Sequence, residues 1–193
     1  MTNLFIGLFL STLITALLTT RLYRLFLWYG LNSIFLGLAA LEQYKLLDDK
    51  ALLISALLTL LLKGVVLPYL FKLFAIKFHT NRNIPPRIRL QYAILLIPAI
   101  LVFTFYLIDP ILELPGKNYI SLSIAALFLS LLLIIEHKAI FAKVIGFLMM
   151  ENALFLLGMT ATGGMPMLIE LGIFFDLLMA VVVINLLFEV EHA

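Results

Sequence analysis

The chain contains no cysteine, which excludes disulfides, thiolate metal sites, iron–sulfur ligation and a cysteine nucleophile. Histidine is nearly as scarce. His79, His137 and His192 stand far apart at loops or termini and match no metal-ligand spacing, so each reads as a solvated or headgroup-level side chain. Charge is also low: Asp, Glu, Lys and Arg make up 12% of 193 residues, against about 25% in a soluble domain. The net charge of +2 is too small to attract a nucleic acid. No phosphate-binding glycine loop, flavin motif, haem-ligand pair or hydrolase nucleophile occurs, so no cofactor is expected in this chain.

Apolar residues fill the space left by charge, with a hydrophobic fraction of 64% and a mean hydropathy of +1.18. Crossing a bilayer takes about 20 apolar residues. Seven segments approach or reach that length, at roughly 3–20, 25–41, 51–74, 90–108, 119–136, 139–160 and 167–188. The expected fold is therefore an all-α integral membrane protein with seven transmembrane helices. The first segment lacks a basic n-region and a small-residue cleavage site, so it is expected to remain in the mature protein. Arg21, Arg24, Lys72, Lys77, Arg82, Arg87, Arg89, Lys138 and Lys143 fall at one set of span ends and loops, and Lys45, Lys50 and Lys117 at the other. Basic residues gather in cytoplasmic loops. The expectation is an N-terminus outside, a C-terminus in the cytoplasm, and a location in the cell (inner or plasma) membrane. Asp109-Pro110-Ile111-Leu112-Glu113-Leu114-Pro115-Gly116 breaks helices. It reads as a seam between a four-helix half, 1–112, and a three-helix half, 113–193.

The thirteenth basic residue, Lys63, belongs to neither side, because it lies twelve residues into the third segment. Glu151 lies in the middle of the sixth, and Glu170 and Asp176 lie on the seventh. At 1.5 Å per residue, Glu151 and Asp176 both fall about 14 Å below the outer end, and Lys63 about 18 Å below it. A charge at mid-bilayer costs a few kcal/mol, so it normally faces a partner or a water path. Leaving water disfavours the ionised form of each group, so small changes in separation can load or release a proton. Glu151, Asp176, Glu170 and Lys63 are the candidate residues of a proton or cation path, with Glu151 and Asp176 as carriers and Lys63 as a charge modulator. Glu170 lies only a turn below the surface and reads equally as a headgroup-level acid. Asn152 and Asn185 read as polar support that orients water or joins helices. Pro68 and Pro98 are expected to kink their helices, and Gly146 to allow two helices to approach closely.

The run Gly146-Phe147-Leu148-Met149-Met150-Glu151-Asn152-Ala153-Leu154-Phe155, followed by Gly164-Met165-Pro166, Ile169-Glu170-Leu171-Gly172 and Phe175-Asp176, resembles component E of hydrogenase-4-type complexes. Its last three segments are similar to subunit K of respiratory complex I and to the small C subunit of multisubunit sodium/proton antiporters. One departure concerns the first acid: Ile145-Gly146-Phe147 is followed by Leu148, and the carboxylate comes one turn later at Glu151. The resemblance implies a non-catalytic membrane subunit of a complex I-like or group 4 hydrogenase-like assembly. Its partners would be antiporter-like membrane subunits and a hydrogenase-like or complex I-like peripheral arm, within membrane lipid. A NiFe centre and iron–sulfur clusters would reside only in those partners. Two other readings stay open, a subunit of a stand-alone cation/proton antiporter and a structural membrane scaffold.

Overall fold

The computed structural model describes residues 2–47, 50–77, 83–87, 90–108 and 117–162, and these are helical apart from short turns. Helix α1 spans Thr2–Leu17 and α2 spans Leu22–Leu47. A long third rod is built from α3 (Lys50–Leu58), a π-helical stretch (Thr59–Val66) and α4 (Leu67–Lys77). Next come α5 (Leu90–Val102) with a second π-helical stretch (Phe103–Ile108), α6 (Lys117–Glu136) and α7 (Ile140–Thr162). Among the described residues, four rods, Leu22–Lys45, Leu52–Lys77, Tyr119–Glu136 and Ile140–Ala161, are long and apolar enough to cross a bilayer. The chain is accordingly an α-helical membrane protein. Thr2–Leu17 and Gln91–Tyr106 are apolar but shorter. The expected seventh span, 167–188, lies outside the described residues, as does most of the 109–118 seam.

Helix α2 differs from expectation. The charged stretch from Glu42 was read as the end of a span, yet the helix continues to Leu47. Glu42, Gln43, Lys45, Leu46 and Leu47 are good helix formers, and no glycine or proline intervenes. Charge therefore ends the membrane-compatible stretch without ending the helix.

The π-helical stretch at 59–66 has a local cause. Pro68 has no N–H to give the carbonyl of Gly64, four residues before it, and its ring crowds that carbonyl. The Leu67 N–H bonds back to Leu62 O, five residues away, and so widens the turn. Gly30 of α2 lies where the freed Gly64 carbonyl points. A Cβ on Gly30 would stand 3.0 Å from that oxygen and 3.0 Å from Pro68 Cγ. Only glycine lets α2 approach so closely. Gly146 does the same for α7, since a Cβ there would meet the Ile134 side chain at 2.7 Å.

Both expected halves contribute to one core. Helix α6 packs on α1 and on α7, and α7 packs on α2. Leu13, Leu36, Leu129, Leu148 and Met149 are buried together in that core. A short strap, residues 83–87, closes one end. The Ile84 N–H donates to Thr20 O at 2.9 Å, and the Arg87 N–H donates to Glu136 O. The strap thereby joins the α1–α2 turn to the α6–α7 turn, and both turns carry basic residues.

Candidate functional site: a buried charge pair among four rods

Lys63 sits in the π-helical stretch and Glu151 near the middle of α7. The Lys63 Nζ lies 2.9 Å from Glu151 Oε1, and each residue is 4% exposed. Their depths, read separately from sequence, differ by about 4 Å at 1.5 Å per residue, a gap the long lysine side chain covers. The lysine also donates to Asn152 Oδ1 at 3.4 Å. An ammonium and a carboxylate this far from water are tolerated because each neutralises the other. Removing either leaves a buried charge.

Asn152 extends the cluster across the bundle. Its Nδ2 donates to Asn32 Oδ1 and to Ser33 Oγ, both at 3.0 Å. Asn32 Nδ2 donates in turn to Phe9 O at 2.9 Å and to Thr12 Oγ1 at 3.2 Å. Donation thus runs one way, from Lys63 through Asn152 and Asn32 to the backbone of α1. Side-chain amides hold protons but do not exchange them readily, so this arm fixes geometry. The groups that can change protonation are Lys63 and Glu151.

A second polar line approaches along the third rod. Ser55, Thr59 and Lys63 are spaced by four residues, share one helix face, and are all buried. From Ser55 to Lys63 the rise is about 12 Å. These hydroxyls lead from the end of the rod near Lys50 towards the charge pair.

Of the residues singled out from sequence, the fold brings together Lys63, Glu151 and Asn152. Asp176, Glu170 and Asn185 lie outside the described residues. Sequence reading missed Asn32, Ser33, Thr12, Ser55 and Thr59. Spacing offered a signal for two of them, because Ser55 and Thr59 stand two turns and one turn before Lys63 on the same face. Asn32 and Ser33 could have been weighed as the only adjacent amide and hydroxyl inside the second span.

His137 requires a correction. It was read as solvated, yet it is 1% exposed, with Nδ1 3.3 Å from Leu133 O. The strap covers it, because Pro86 pairs with it as an isolated bridge. Burial pushes its pKa below the ordinary 6.5. Glu136 beside it, at the end of the expected span 119–136, is the last residue of α6 and fully buried. Neither carboxylate oxygen of Glu136 has a hydrogen-bond partner among the described residues. His79 and His192 lie outside the described residues. Among the described residues, no three His, Asp or Glu side chains converge where a metal ion could sit.

No protein-family model matches the chain, and no solved structure matches it. It is similar to "Uncharacterized protein Rv0085" of Mycobacterium tuberculosis (strain ATCC 25618 / H37Rv), at 27% identity over 173 residues that cover 85% of this chain and 75% of that one.

Proposed function

We propose that the chain is a non-catalytic membrane subunit that moves protons, or sodium ions, through a path centred on the Lys63–Glu151 pair. The carrying observation is that pair, at 2.9 Å and 4% exposed, in a wall of helix that departs from α geometry. Pro68 sets that departure beside the lysine, and π-helical turns recur at functional sites. When the pair is closed, the lysine proton is held by the carboxylate. When the pair parts, Lys63 gives its proton to the next acceptor while Glu151 takes one from entering water. One proton thus leaves the site as another enters, and re-closure returns the Glu151 proton to the lysine. The Asn152–Asn32 arm keeps α7 in place during that change. Ser55 and Thr59 supply hydroxyls for water entering from the Lys50 end. Asp176 or Glu170 is the next acceptor in this reading.

The resemblance to component E of hydrogenase-4-type complexes supports a setting in a complex I-like or group 4 hydrogenase-like assembly. There the NiFe and iron–sulfur chemistry belongs to partner subunits. In this reading the apolar segments form seven spans, and the basic asymmetry puts the strap end and the C-terminus on the cytoplasmic side of the cell membrane. Two experiments test the proposal. Purification through a tag on this chain should recover antiporter-like and hydrogenase-like partners; recovery of the chain alone removes the assembly. Glu151→Gln in the assembled complex should abolish most ion translocation; undiminished pumping leaves a structural scaffold instead.

A further inference from the structure

A lateral groove of about 540 Å³ runs along α2 and α4, outside the buried pair. Its two walls are unusually close where Gly30 faces Gly64 and Pro68. Leu27, Leu31 and Ile34 give it an apolar lining, and Arg24 and Lys72 stand at its mouth. Both cations are solvent-exposed, and among the described residues no Asp or Glu lines the groove. Tyr23 and Tyr69 flank the same mouth, where amphipathic rings favour the headgroup level of a bilayer. From Arg24 to Ile34 is ten residues, about 15 Å of helix, which is half of a roughly 30 Å hydrocarbon core. The groove therefore has a cationic end at headgroup depth and an apolar end at mid-membrane.

We propose that this groove binds one anionic glycerophospholipid, with its phosphate between Arg24 and Lys72 and one acyl chain lying over Gly30 and Gly64. Charge selects the occupant. A zwitterionic lipid offers the same chain but brings its own cation to the two already present, and an apolar protein helix leaves both cations without an anion. The chain's far end rests on Gly64 of the π-helical stretch, the residue that follows Lys63. This assignment is independent of whether the chain moves ions.

Native mass spectrometry of the full chain tests it, after release from micelles containing either dioleoyl phosphatidylglycerol or dioleoyl phosphatidylcholine. One phosphatidylglycerol should be retained in strong preference to phosphatidylcholine. A basic side chain near anionic headgroups contributes about fivefold to affinity, so Arg24→Gln with Lys72→Gln should weaken retention about 25-fold. Lys138→Gln with Lys143→Gln, on the same basic end but away from the groove, should leave it unchanged. Ile34→Trp, which fills the apolar end, should lower retention while both cations remain. Equal retention of the two lipids overturns the proposal. So does equal loss in the Lys138/Lys143 control, which would mean diffuse attraction. Absence of any retained lipid also overturns it, as expected if a protein helix occupies the groove.

Discussion

Lys63 and Glu151, 88 residues apart in the chain, close to 2.9 Å inside the bundle. Breaking a buried pair by removing one member costs about 3–5 kcal/mol, whereas replacing both with apolar groups is often neutral. Lys63→Met should therefore lower the thermal unfolding midpoint in detergent markedly. Lys63→Met with Glu151→Leu should recover most of that loss while ion translocation stays abolished. A double variant that still pumps would mean that the pair serves packing alone.

Asn152 should matter for geometry more than for proton exchange. Asn152→Ala removes two interhelical bonds at 3.0 Å, each worth about 1 kcal/mol in a membrane interior. The expected result is a loss of about 2 kcal/mol in stability with a partial fall in translocation. Thr59→Val, nearly isosteric, should do the reverse, with little change in stability and slower translocation. Measuring both quantities on both variants separates the supporting arm from the access route.

Pro68 holds the π-helical turn open by withholding an N–H. Pro68→Ala restores a donor to the Gly64 carbonyl and lets the rod return to α geometry, which rotates Lys63 away from Glu151. Translocation should fall although the charge pair is chemically intact. Gly30→Ala, whose methyl would stand 3.0 Å from Gly64 O and Pro68 Cγ, should destabilise by about 1–3 kcal/mol through overpacking. An unchanged unfolding midpoint in Gly30→Ala would show that the two helices separate without cost.

The strap end should respond to acid. Burial lowers the pKa of His137 below its ordinary 6.5, so the folded state favours the neutral ring. That contribution is fully present above about pH 6.5 and is lost as pH falls through the lower folded value. Amide hydrogen exchange at Ile84 and Arg87, corrected for intrinsic rates, should accelerate on acidification. The pH dependence should flatten in His137→Gln. Protection that is constant from neutral to mildly acid pH would show that the strap does not depend on His137.

Sidedness has its own check. A reporter fused within the 83–87 strap or at Ala193 should be cytoplasmic, and one within 109–118 external. The opposite pattern would invert every depth assigned to the carriers.

Helical class, six of the apolar segments and the two central charges were legible in the sequence, because each depends on local hydropathy or on the cost of a lone charge. The pairing of Lys63 with Glu151 was not. Their similar depths, about 4 Å apart, limited the possibilities, but rotation of each helix about its own axis is set by packing at positions such as Gly30 and Gly146. Asn32 looked like any polar residue within a span until α7 supplied Asn152. The burial of His137 and Glu136 was hidden for a similar reason. It depends on a strap from far along the chain folding over a turn that local sequence marks as exposed.

The separation of Lys63 from Glu151 also bears on biosynthesis. At roughly 5–20 residues per second, on the order of 4 to 18 s pass between synthesis of the lysine and of its carboxylate. Through that interval the ammonium enters the membrane without its counter-charge. Insertion of the third rod must therefore be carried by its own apolar residues, whose best 18-residue window within Leu52–Lys77 has a mean hydropathy of 2.0. The ion pair then closes late, once the α6–α7 hairpin brings a carboxylate beside the waiting cation.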